Sequence, residues 1–320
     1  MARKPSKVFE MPDLAEAGQV VSAREIEFFV ANGFLVKRGL LARNAVAEAL
    51  DQAWAHLLEN VPMDPAAPAL TPGDPSSWRD PAWGPLSAPD KAGLYAGRQR
   101  VYHGGATVKL HDLGSAGFLV DLLPNNSDVR AVGIALLGDL RASERTRGVY
   151  ALFPTSVPDD ERGRARRDAT ALGPHTDRVC QQLNVCAYLS DVKPRNGGFT
   201  VYPGSHKVMF RAHRYAANWS PQPDFRDALK RVVDEIQPFE LVGDAGDVIF
   251  WHGRTVHSSG IHTGDDIRWA VFADFTRDFA TLGADEHRAA GQYEWFKDAK
   301  LFRDDALAGD DMWQHWSLGA

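Results

Sequence analysis

Only two cysteines, Cys180 and Cys186, occur in 320 residues. Six positions apart on one strand they would sit about 20 Å from each other, too far to bridge. A reduced, cytoplasmic protein is expected. A long apolar run is also missing. The longest, residues 131–138, is too short to cross a bilayer. The opening MARKPSKVFEMPDL has early basic residues but no apolar stretch of a secretory signal. Neither sign of charge dominates, with 36 Lys and Arg against 42 Asp and Glu, net −6. That balance argues against nucleic acid or an anionic membrane as partner. No Gly-x-Ser-x-Gly, His-Glu-x-x-His, Gly-x-Gly-x-x-Gly or Walker loop occurs. A serine hydrolase, a zinc protease and a nucleotide cofactor are thereby disfavoured.

What is present is an ordinary globular composition, 44% hydrophobic and 24% charged. Residues 22–59 read as two helices. Ser22 and Glu25 form a capping box, Asn32-Gly33 breaks the first helix, 34–36 forms a short strand, and Asn44 caps the second. Between 61 and 92 lie eight of the 19 prolines, with Trp78 and Trp83. That segment of 61–104 is either a surface loop packing its tryptophans or a lid. Residues 105–147 read as helical with a break at 124–126. From 148 to 280 the texture is β, with strands at 148–153, 182–189, 199–202, 240–242, 247–251 and 267–275 and turns at 195–198 and 203–206. The tail 281–320 returns to helix, with Trp295, Phe296, Trp313 and Trp316 as packing residues. Short strands with turn-rich separators predict an antiparallel sandwich or barrel in one domain spanning 1–320.

The chemistry centres on Pro174-His175-Thr176-Asp177. On an extended strand, side chains at i and i+2 leave the same face, so His175 and Asp177 can hold one metal ion. Two imidazoles and one carboxylate with open positions suit non-haem Fe(II) oxygenase chemistry. Three histidines compete for the third place: His252, ending a strand; His257, starting a hairpin that returns through Arg268; and His262, in a turn. The hairpin reading brings His257 and Arg268 to one pocket. Residues 154–172 carry Arg162, Arg164, Arg166 and Arg167, a solvated loop or a clamp for an anionic substrate group.

In order along the chain, IEFFVANGFLV, His175-Thr176-Asp177, Asn196-Gly197-Gly198, Pro203-Gly204-Ser205-His206-Lys207, GDVIFWHG and His257-Ser258-Ser259-Gly260 with Arg268 resemble the phytanoyl-CoA dioxygenase family of Fe(II)/2-oxoglutarate oxygenases. The resemblance covers most of 22–275. It implies a mainly β fold, a double-stranded β-helix (jelly-roll, cupin-like) core with N- and C-terminal helices. It implies His175, Asp177 and His257 as catalytic iron ligands. Arg268 would bind the far carboxylate of 2-oxoglutarate, assisted by Ser259. Guanidinium suits that role, being always charged and bidentate. The strand 182–189 lacks the family's tryptophan, and Asn184 is the polar residue offered to the co-substrate instead. Fe(II), 2-oxoglutarate and O2 are the implied cofactors, with ascorbate as accessory reductant, and a small molecule is the implied substrate. Related halogenases leave the Asp177 position as Gly or Ala, so the carboxylate here argues for hydroxylation, desaturation or ring closure. The rival reading is a cupin-type dioxygenase or isomerase that needs the triad but not Arg268.

Overall fold

A computed structural model describes residues 4–60, 69–78, 100–103, 107–141, 143–154, 173–176, 183–212, 223–275, 312–313 and 316–319. Among them, helix α1 (Ala23–Asn32) starts as expected: Ser22 Oγ accepts from Glu25 N at 3.1 Å, and Glu25 Oε2 accepts from Ser22 N at 2.8 Å. It stops at Gly33, whose φ of 82° is left-handed. A side chain there would also run into His206 Nδ1, so conformation and space both demand glycine. Strand β2 (Phe34–Lys37) and helix α2 (Arg43–Asn60) follow. Asn44 therefore lies inside the first turn of α2 rather than capping it.

Strands β3 (Arg100–His103) and β4 (Thr107–Leu110) occupy ground expected to be loop and helix. Helices α3 (Gly117–Leu122) and α4 (Ser127–Leu137) come next, the latter capped by Asn126. The β region holds β5 (Val149–Leu152), β6 (Leu183–Tyr188), β7 (Phe199–Val201), β8 (Phe239–Leu241), β9 (Val248–His252), β10 (His257–Ser259) and β11 (Arg268–Phe275). Each matches an expected strand within two residues, β10 excepted, which was read as one arm of a hairpin. Helices α5 (Ser205–Ala212) and α6 (Pro223–Glu235) lie between β7 and β8. The first begins at the Pro-Gly-Ser-His stretch that reads as a plain turn. A short N-terminal strand, β1 (Lys7–Phe9), pairs parallel to β8.

The strands form a four-stranded sheet, β1-β8-β7-β10, and a seven-stranded sheet, β2-β9-β6-β11-β5-β4-β3. The fold is thus mainly β with flanking helices, built on a jelly-roll core. Strict alternation along the central strands divides the interior. Trp269, Val271, Ala273 and Phe275 of β11 face the helix-side core with Phe29, Leu57 and Leu136. Ala270 and Phe272 face the other sheet, with Cys186, Tyr188, Trp251, Phe199 and Leu241. Both faces are covered, so β11 reads as a nearly continuous apolar run.

The hairpin expectation fails. β10 and β11 are not arms of a hairpin. β10 pairs with β7, and β11 lies between β5 and β6 in the other sheet. The intervening turn crosses from sheet to sheet, so His257 and Arg268 stand on opposite sheets of the sandwich.

Trp78 is buried against Trp54 at 5.7 Å and donates its indole N–H to the Asp265 carbonyl at 2.8 Å. Trp83, most of 61–104, most of 154–172 with its arginines, Cys180, Trp295, Phe296 and most of the tail lie outside the described residues. Where the tail is described it is turn, not helix. Trp313 and Trp316 pack on Phe29 at 5.8 and 5.7 Å, and Ser317 and Leu318 donate to the Leu136 carbonyl that ends α4.

Candidate metal centre

His175 and His257 face one another across an isolated antiparallel bridge. His175 N donates to His257 O at 3.0 Å, and His257 N to His175 O at 2.9 Å. Directly opposed residues carry their side chains side by side, and the two ring centroids are 4.4 Å apart. His175 Nδ1 lies 2.6 Å from the Gly173 carbonyl, and His257 Nδ1 lies 3.0 Å from the Thr255 carbonyl. A carbonyl only accepts, so both rings carry their proton on Nδ1. In each, Nε2 is the nitrogen with the lone pair. A carbonyl fixing the tautomer from behind is the usual arrangement of a metal-binding histidine. His257 is buried, stacked on Phe199 at 5.1 Å and tilted against Trp251 at 5.4 Å.

This pair fits a metal: two adjacent imidazoles, each in the tautomer that ligates through Nε2. Asp177, the expected third donor, lies outside the described residues. Thr176, between the two expected ligands, is fully buried. Among the described residues no group of three His, Cys, Asp or Glu gathers at one point.

The rival histidines are engaged elsewhere. His252 accepts from Arg254 N at 3.0 Å and packs on His206, Trp313 and Trp316, with burial pushing its pKa well below the ordinary value. Burial also pushes His262 down to about 4, and it bridges to Asn196.

Arg268 is 5% exposed, the first residue of β11, with Nε donating to the Gly197 carbonyl at 3.0 Å. Among the described residues no carboxylate comes within ion-pairing distance of it. Burial pulls its pKa down, opposed by Cys186, Tyr188 and Glu240 nearby. A buried guanidinium held by one carbonyl is a ready anion site. Ser259 shares the face of β10 that carries His257, two residues away.

Asn184 is fully buried on β6, opposite Trp251 on one side and Asp274 on the other. Six residues of β11 separate that row from Arg268, about 20 Å of strand. Asn184 thus lies far along the sheet from Arg268, in the row of Trp251, which packs on His257 at 5.4 Å, and its Oδ1 accepts from Arg147 Nη2 at 3.3 Å. Arg147 pairs with Asp274 through two nitrogens. A bulge aims it there. Arg147 N donates to Phe272 O and Phe272 N donates to Gly148 O, so two residues oppose one, and Gly148 takes φ 86°.

Sequence reasoning missed four residues here. Tyr188, on the face of β6 shared with Cys186, is the fully buried polar residue near Arg268. Its hydroxyl donates to Leu241 O at 2.6 Å and accepts from Phe199 N at 2.9 Å. Its alternation with Cys186 was the available signal. Lys109 sits 4.5 Å over the Tyr150 ring on the same inner face. Arg147 and Asp274 gave no local signal, since only the bulge joins them.

Residues 137–270 match the family model described as phytanoyl-CoA dioxygenase. The resemblance read from sequence is borne out over the segment holding His175, Asp177, His257 and Arg268. The peroxisomal phytanoyl-CoA dioxygenases of Homo sapiens and Mus musculus are each 28% identical over 102 residues, 29% of this chain and 28% of theirs. The chain thus matches under a third of the length of these curated relatives. Among solved structures, it is similar to the non-heme alpha ketoglutarate dependent epimerase SnoN from nogalamycin biosynthesis, at 21% identity and TM-score 0.48, over 79% of this chain and 82% of that one. It is also similar to EctD from S. alaskensis with 2-oxoglutarate and 5-hydroxyectoine, at 16% identity and TM-score 0.49, over 86% and 83%.

Proposed function

From a chain whose residues 137–270 match the phytanoyl-CoA dioxygenase family model, we propose a non-haem Fe(II)- and 2-oxoglutarate-dependent oxygenase that hydroxylates a C–H bond of a small molecule. The observation that carries this reading is the His175–His257 pair. Both rings are fixed as Nδ1–H tautomers, in a barrel that also holds the buried Arg268 with no carboxylate partner among the described residues.

His175, His257 and Asp177 would hold the iron. Bound there with 2-oxoglutarate, iron supplies the oxygen activation that ends in oxidised substrate, succinate and carbon dioxide. The protein's own residues do the rest. The Gly173 and Thr255 carbonyls hold the imidazoles in the Nδ1–H tautomer and fix their orientation. Phe199 and Trp251 wall the pair from water, which strengthens every charge interaction inside. Arg268 takes the far carboxylate of 2-oxoglutarate, with Ser259 on the neighbouring strand assisting. Lys109 adds a second cation on the same inner face. Asn184, about 20 Å of strand from Arg268, lies beyond the reach of a co-substrate anchored there and faces the substrate instead.

The test is anaerobic. Iron-loaded protein mixed with 2-oxoglutarate is expected to develop a metal-to-ligand charge-transfer band, and aerobic turnover to release succinate. Iron binding with no band and no succinate would favour the cupin-type reading, which has no use for Arg268.

A further inference from the structure

The Asn-Gly-Gly turn that supplies the Gly197 carbonyl to Arg268 is itself held by a buried acid. Glu240 alternates on β8 with Phe239 and Leu241, which pack between the sheets, so its side chain leaves the opposite face. It is 3% exposed. Its Oε2 accepts from Arg195 N at 2.9 Å and its Oε1 from Gly198 N at 2.9 Å. Both carboxylate oxygens are thus used on two amides three residues apart, one at each end of the turn. The slot is built for that carboxylate. A Cβ on Gly198 would come 2.8 Å from Glu240 Cγ, and one on Gly260 would come 2.9 Å from Oε1. The turn is locked from the other side too, by Gly260 N to Gly198 O at 2.8 Å and Gly197 N to Ile261 O at 3.1 Å. Arg195 and Gly197 both adopt positive φ, 65° and 71°, so the turn follows a path few chains take unaided.

We propose that Glu240 is a positioning residue for co-substrate length: by stapling residues 195–198 it fixes the Gly197 carbonyl, and so the depth at which Arg268 presents its guanidinium. This rests on the reading of Arg268 as the anchor of the far carboxylate. A 2-oxo dicarboxylate chelated at one end must place its other carboxylate where Arg268 waits. One extra methylene moves that carboxylate by up to about 1.5 Å, one C–C bond. A pinned guanidinium rejects the longer homologue, and a loosened one follows it. Burial holds the carboxyl pKa above its ordinary value, opposed by the two amide bonds and by Arg195 and Arg268 nearby.

The experiment uses iron-loaded, oxygen-free enzyme titrated with 2-oxoglutarate and with 2-oxoadipate, following the charge-transfer band. Glu240→Gln replaces one acceptor by a donor facing an N–H and unhooks one end of the turn. Glu240→Asp keeps the charge but is one methylene too short for both bonds, and provides a second comparison if the first variant folds poorly. Wild type is expected to prefer 2-oxoglutarate. In either variant the preference narrows at least fivefold, mainly by loss of 2-oxoglutarate affinity. The band maximum and iron content stay at wild-type values, because the chelating end is untouched. Equal weakening of both ligands, or an unchanged ratio, overturns the proposal while leaving the Arg268 reading intact. No band with either ligand in wild type overturns both.

Discussion

Acid should unfold this protein through histidines that are buried neutral. Burial pushes His206 and His262 down to about 4, and pushes His252 down further in direction. All three are at most 5% exposed. In the unfolded chain each returns to about 6.5. Between those values the unfolded state binds more protons than the folded state, so stability rises with pH and is lost as pH falls from 6.5 towards 4. At pH 5 each of His206 and His262 costs about 2 kcal/mol, roughly 4 kcal/mol together, with His252 adding to it. That is a large part of the 5–15 kcal/mol typical of a folded domain. Urea unfolding followed by tryptophan fluorescence at half-unit steps from pH 7.5 to 5 measures the slope. It should approach about 1.4 kcal/mol per pH unit for each histidine near pH 5.2. His206→Gln places an amide donor where Nε2 now bonds the Val30 carbonyl at 3.1 Å, and should flatten the slope by one proton. A slope below one proton in wild type, or no change in His206→Gln, would refute the reasoning.

Arg268→Ala should raise the 2-oxoglutarate KM by roughly 10–100-fold, the worth of a charge-assisted hydrogen bond of about 1.5–3 kcal/mol, with kcat less affected; an unchanged KM moves the anchor elsewhere. Asp177→Ala should abolish substrate oxidation, and full turnover in that variant would refute the ligand assignment. Gly148→Ala should lower stability by roughly 2–4 kcal/mol in urea unfolding, because φ 86° is strained for alanine and a Cβ would meet the Leu110 carbonyl. Ser22→Ala should cost about 1 kcal/mol by loss of the capping box, and a neutral result would locate the start of α1 in packing alone.

Local chemistry was legible and long-range pairing was not. The capping box at Ser22 and Glu25, the left-handed stop at Gly33 and the central strands announce themselves through spacing and side-chain type. So did the candidate ligands, since His175 and His257 stand in recognisable motifs. The partner of β10 did not, because the stretch 260–267 has the turn residues of a hairpin loop while serving as a crossing between sheets. Nothing in local periodicity distinguishes the two. The helix at Ser205 was hidden for a related reason: Pro-Gly punctuates the chain whether a loop or a helix follows. Arg147 was invisible as an inward residue because by alternation it belongs to the outer face with Val149 and Ala151, and only the bulge at Gly148 turns it in.

Strand β11 serves two interiors at once, giving Trp269 and Val271 to the helix side and Arg268 and Phe272 to the space between the sheets. A single-residue insertion or deletion that slipped its register would exchange these sets, sending a guanidinium into the helix-side core and an indole into the space between the sheets. Evolution can therefore lengthen the crossing at 260–267 freely only while the phase of β11 is preserved. The parity of one strand ties the packing of the core and the placement of Arg268 into a single inherited trait.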